Sequence, residues 1–198
     1  FVRESAGVQL AEFCDVAANV RTLVVPRGAR GLCSYSRALE ALDGQLDKYS
    51  HFVMMNSGVR GPFAAHDDGA WIDVAARAGT DTYQPRTVTT AQASHELRFH
   101  PQSYFLSAPA AAMAILRRDN FDLTCDGANP RACVTGGEVA IGTLLFANNI
   151  GIYSLADGTL FRGQSDVASF AAAHPEVRGE ILNPTMRWSD PCMAMFLK

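Results

Sequence analysis

The chain has 198 residues, 48% of them hydrophobic and 19% charged, with a formal net charge of −3. That balance excludes a disordered chain, fits a single domain with a sizeable core, and gives no general attraction to a nucleic-acid backbone. No apolar run of about 18 residues suggests a membrane span, and residues 1–20 do not read as a signal peptide.

The cations are lopsided, with 15 arginines against Lys48 and Lys198 alone. Arginine suits bidentate contact with phosphate or carboxylate, although a bias spread over the whole chain reads as a composition effect. Five cysteines are present without a C-x-x-C pair, which weakens a zinc or dithiol reading. Cys125 with Cys133, and Cys14 with Cys33, are candidate disulfides that would require an oxidising compartment, leaving Cys192 over. The chain opens without Met and reads as a processed product or a fragment. It contains no N-glycosylation acceptor free of Pro.

In chain order, residues 4–18 carry helical apolar spacing, and Arg21–Pro26 reads as a strand stopped by Pro26. The basic loop Arg27–Gly31 is either a phosphate holder without P-loop spacing or a solvated turn. Ser34–Leu46 predicts a helix with Tyr35, Leu39 and Leu42 on its buried face, leading into a strand over Phe52–Met55. Alternation of strand, helix and strand predicts a parallel crossover. That second strand delivers a tight polar corner, Asn56-Ser57-Gly58, followed by Arg60-Gly61-Pro62. In an α/β sheet such a corner lies where ligands bind.

Trp71–Ala78 predicts a helix, Val88–Thr90 an edge strand, and Ser103–Leu106 a further short strand, with 94–100 unassigned. Pro109 starts a helix carrying Met113 and Leu116, and 120–132 is a loop. Glu138–Asn148 is a strong helix, Gly151–Leu155 a strand, and Asp166–Ala173 a short helix. The tail from Pro184 is either docked or free. The whole reads as one domain, 1–198, with 156–198 a less regular extension.

Four segments carry a resemblance: VVPRGARGLCSY, YSHFVMMNSGVRGPF, HPQSYFLSAPAAAM and GGEVAIGTLLFANNIGIYSL. In this order and spacing, over residues 21–155, the chain resembles glycosyltransferase-like proteins of the GT-A type, including algal and bacterial polysaccharide-synthesis members. The resemblance implies a three-layer α/β domain with a mostly parallel central sheet, truncated at its N-terminus relative to a full GT-A nucleotide-binding half. It implies a nucleotide-sugar donor, a glycan or protein acceptor, and residence in the Golgi lumen or elsewhere in the secretory or extracellular space.

It also implies site residues. Asn56, Ser57 and Gly58 occupy the place of a metal-presenting Asp-x-Asp, and Arg60 stands ready for diphosphate oxygens. Neutral Asn56 and Ser57 are poor ligands for the Mg²⁺ or Mn²⁺ that such a donor employs, so no metal ligand is assigned. Glu138 becomes the base that takes the acceptor proton, or an acidic residue favoured at a helix start. Gly136 and Gly137 would let the backbone approach the acceptor, while His95, His100 and Gln102 would line the donor or acceptor pocket. His51, Tyr104 and Phe105 read as structural. Two functions stay open: an active sugar transferase, and a catalytically inactive transferase-like domain that serves as a binding or structural module in a larger assembly.

Overall fold

The computed structural model describes residues 32–42, 45–56, 86–95, 98–119, 133–156 and 158–175. Helix α1, Leu32–Ala41, buries Leu32, Cys33, Tyr35, Ser36 and Leu39, a one-sided stripe at helical spacing. Its solvent side carries the Arg37–Glu40 ion pair at 2.7 Å. Cys33 is buried, and the expected Cys14–Cys33 bridge rests on Cys14, outside the described residues. The Cys125–Cys133 pair likewise rests on Cys125, outside the described residues.

A 3₁₀ turn, Leu46–Lys48, leads into β1, His51–Met55. Then follow β2, Thr87–Thr90; β3, Ala93–Ser94; β4, His100–Pro101; and β5, Phe105–Pro109. Helix α2, Ala110–Asp119, starts directly after Pro109. A π-helical turn, Cys133–Glu138, opens into α3, Val139–Ala147. The remaining elements are β6, Gly151–Ser154; β7, Thr159–Phe161; and α4, Gln164–Ala173. The last two fall within 156–198, and β7 had no counterpart in the sequence reading. The expected elements at 4–18, 21–26 and 71–78, the loops 27–31 and 120–132, and the tail from Pro184 lie outside the described residues.

The main sheet has the order β1-β5-β2-β6-β7, and β3 and β4 form a separate two-stranded ribbon. Only β2 and β6 pair in parallel; β1–β5, β5–β2 and β6–β7 are antiparallel. The expectation of a mostly parallel sheet is therefore corrected to a mixed one. The reason lies between β2 and β5. A parallel return needs a crossover, usually a helix, and this stretch instead folds as the ribbon and delivers β5 pointing the other way. Val88–Thr90 is likewise corrected: β2 is the central strand, with all four of its residues buried.

One sheet face carries Phe52, Met54, Leu106, Ala108, Val88, Ile152 and Phe161, as the pairing register dictates. Against these pack Leu32, Tyr35 and Leu39 of α1, Met113 and Leu116 of α2, and Ile141 and Leu145 of α3 in one continuous core. The other face holds Phe105, Ser107, Thr87 and Thr89, also buried, so the middle strands are covered on both sides.

Helix α3 is fixed at both ends. At Gly142 an added Cβ would sit 2.1 Å from the Phe99 carbonyl oxygen, so only glycine lets the helix lie this close to the ribbon. At its C-terminus Asn149 takes the left-handed conformation, φ 56°. The Asn149 N–H donates to the Phe146 carbonyl at 3.1 Å and the Ile150 N–H to the Leu145 carbonyl at 2.9 Å. This is a Schellman closure, completed by the buried pair Leu145 and Ile150.

Candidate functional site

The register places the ends of β1, β2 and β6 at one edge of the sheet, together with the start of β5. At this edge the segment Gln102–Tyr104 turns the chain from the ribbon into β5. Three elements hold it by hydrogen bonds. The Asn56 N–H, just past β1, donates to the Tyr104 carbonyl at 3.1 Å. The Ser103 N–H donates to Glu138 Oε1 at 2.8 Å. The Tyr35 hydroxyl of α1 donates to the Ser103 carbonyl at 3.1 Å.

Asn56 and Glu138, expected in one site, thus grip the same two-residue segment from two sides. Both are half-buried. Glu138 ends the π-helical turn at the mouth of α3, where the helix dipole favours a negative charge. Among the described residues its other oxygen, Oε2, has no hydrogen-bond partner. Tyr35 is buried, and burial first, then the Glu138 carboxylate, pushes its phenol above the ordinary range. It therefore stays a proton-bearing donor across the physiological range.

The remaining expected residues fall in different places. Gln102 is buried; its N–H donates to the Gln92 carbonyl at 3.0 Å, and its own carbonyl accepts from Thr90 Oγ1 at 3.2 Å. Gly137 is buried and Gly136 exposed, and a Cβ added at Gly136 would touch nothing within 4 Å. His100 is buried, its Nδ1 lying 2.7 Å from the Arg98 carbonyl oxygen. His95 packs edge-on to Phe99 and stacks on Phe170 of α4, with centroids 5.0 and 5.8 Å away. Neither histidine bonds to Glu138. Ser57, Gly58 and Arg60 lie outside the described residues.

Sequence reasoning missed Tyr35 and Ser103 as site members. Tyr35 sat among the apolar positions of its helix, and only its hydroxyl, a polar tip on a core residue, pointed to more.

An apolar depression of about 180 Å³ lies at the opposite end of β1, lined by Leu46, Asp47, Phe52, Ala110, Met113, Ala114 and Arg117. None of the expected site residues lines it.

The donor set does not fit a divalent cation. Among the described residues no group of three or more His, Cys, Asp or Glu is placed to hold one. At the Asn56 corner the carboxylate on hand, Glu138, spends one oxygen on a peptide N–H. Magnesium or manganese prefers several oxygen ligands, carboxylates among them.

No family model, curated protein or solved structure matches the chain. The resemblance to GT-A glycosyltransferases is corrected by the sheet itself, in which β5 and β7 run against their neighbours. The chain is a small α/β domain on a mixed sheet. Among the described residues, no helix is long and apolar enough to cross a membrane.

Proposed function

We propose that the chain transfers a glycosyl group from a nucleotide-sugar donor to a hydroxyl of a glycan or protein acceptor, with Glu138 as general base. The observation that carries this reading is the state of the Glu138 carboxylate. One oxygen is oriented by the Ser103 N–H at 2.8 Å, and the group stands half-buried beside the Asn56 corner. A base needs that combination: a fixed orientation and a second oxygen available to a proton.

In the step proposed, Oε2 of Glu138 takes the proton of the acceptor hydroxyl as its oxygen attacks the anomeric carbon. The bond from that carbon to the donor phosphate breaks, and the nucleoside diphosphate leaves with the electron pair. On this reading the donor diphosphate lies against the Asn56 corner.

A second reading has its own observation. The bonds from Asn56, Tyr35 and Glu138 to Ser103–Tyr104 tie β1, α1 and α3 to the start of β5. On this reading Glu138 is a clamp in a non-catalytic module that serves a larger assembly. Glu138→Gln separates the two, because the amide oxygen still accepts from Ser103 but cannot take a proton. Calorimetric titration with a panel of nucleoside diphosphate sugars comes first, and no binding to any of them ends the transferase proposal. With a donor in hand, turnover should fall about 100-fold or more in Glu138→Gln, the usual span for a lost general base. Unchanged turnover would make Glu138 a structural clamp in an active transferase whose base lies elsewhere, whereas the non-catalytic reading requires that no donor be turned over at all.

A further inference from the structure

We infer that Tyr35 is a positioning residue for Glu138, acting through the backbone of Ser103. This rests on the reading of Glu138 as the base and adds the part that aims it. Ser103 is held at both of its backbone groups. Its carbonyl accepts the Tyr35 hydroxyl at 3.1 Å, and its N–H donates to Glu138 Oε1 at 2.8 Å. Ser103 lies in the turn before β5 rather than in a strand. No ladder partner takes its N–H; the Gln102–Ser103 peptide that carries it is held at the Gln102 carbonyl by Thr90 Oγ1 at 3.2 Å, and Tyr35 holds the next peptide across the Ser103 Cα.

The two holders come from separate elements that meet here: α1, and the π-helical turn that opens α3. Tyr35 itself is anchored, 6% exposed, with its ring in the main core beside Leu32 and Leu39. The hydroxyl is thus delivered from a rigid base, 68 residues away in sequence from the carbonyl it grips. Loss of this bond frees the Ser103–Tyr104 peptide, which is joined to the Ser103 N–H only through the Ser103 Cα. Movement there shifts the shared Ser103 Cα, and through it the N–H that orients the carboxylate. A base aimed at a proton is sensitive to such small displacements.

The test is Tyr35→Phe, which keeps the ring in the core and removes only the hydroxyl. In the unmodified protein the Ser103 amide should exchange slowly with solvent although it lies outside the sheet ladder. Rapid exchange there would overturn the inference without any variant. In Tyr35→Phe, exchange at Ser103 should rise about three- to tenfold more than at the core amides of β5, the scale of one net hydrogen bond. Turnover should drop with little change in acceptor KM. Parent-level protection of Ser103 in the folded variant overturns the positioning role while leaving Glu138 as base. Unchanged turnover in Glu138→Gln removes the base itself, whatever Ser103 does.

Discussion

His51 lies in β1 with Nε2 2.7 Å from the Ser107 hydroxyl of β5, and burial lowers its pKa. His95, at the end of β3, is lowered too, by burial first and then by the neighbouring His100. Among the described residues, titratable groups near His95 include His100 on β4 and, across the Phe170 ring, His174 at the end of α4. Both rings are thus easier to protonate in the unfolded chain than in the folded one. The unfolded state binds more protons as pH falls below about 6.5, so stability is full above that value and is lost as pH drops toward the folded values. Thermal unfolding followed between about pH 7 and about pH 5 should show the melting temperature falling with pH. His51→Gln, which can still bond to Ser107, and His95→Phe, which keeps the aromatic stack, should each flatten that slope. A slope unchanged in both variants would place the titrating groups elsewhere.

Among the elements, α3 depends most on a single atom that is absent. Its glycine at 142 lies under the Phe99 carbonyl, where a Cβ would sit at 2.1 Å, and the His100 Cα would be only 3.0 Å away. Both obstacles are backbone, so neither can rotate aside. Gly142→Ala should cost about 2–3 kcal/mol or more despite the gain in helix propensity, because the ribbon must lift from the helix. Urea unfolding measures it, and a neutral or stabilising result would mean that the ribbon is loosely seated. The sequence carried α3 well: Gly, Glu and an apolar run, with Asn-Asn at the end, are local signals, and the structure adds the Schellman closure. It carried β1, α2 and β6 for the same reason. Strand direction was not legible, because antiparallel and parallel neighbours are chosen by what the connection does, and 94–100 gave no pattern from which a ribbon could be read. Val88–Thr90 reads as an edge strand, yet all four residues of Thr87–Thr90 are buried in mid-sheet, and the Thr90 hydroxyl lies within reach of the Gln92 and Gln102 carbonyls. β7 is three residues long, too short for periodicity to register. Of the site, Glu138 and Asn56 were visible as a helix start and a strand end. That both would grasp Ser103–Tyr104 was not, since it follows from the antiparallel course of β5.

At the scale of the whole molecule, the sheet is closed by contacts distant in sequence. β2 takes β5 on one side and β6 on the other, with Thr87 opposite Gly151 and Thr90 opposite Ser154. A chain ending at Asn148 would keep α3 and lose β6, leaving the central strand with an open row of amides and carbonyls. Such an edge recruits other chains. The truncated protein should elute as aggregates in size-exclusion chromatography, where the full chain gives a defined species. A well-behaved truncated species would mean that the first five strands hold together unaided. The same arrangement has a consequence during synthesis. About sixty residues separate the middle strand from the partner that seals it, so at roughly 5–20 residues per second a ribosome leaves that flank bare for several seconds. For that interval the nascent chain depends on shielding by whatever receives it, and slowing translation between Thr90 and Gly151 would lengthen its exposure.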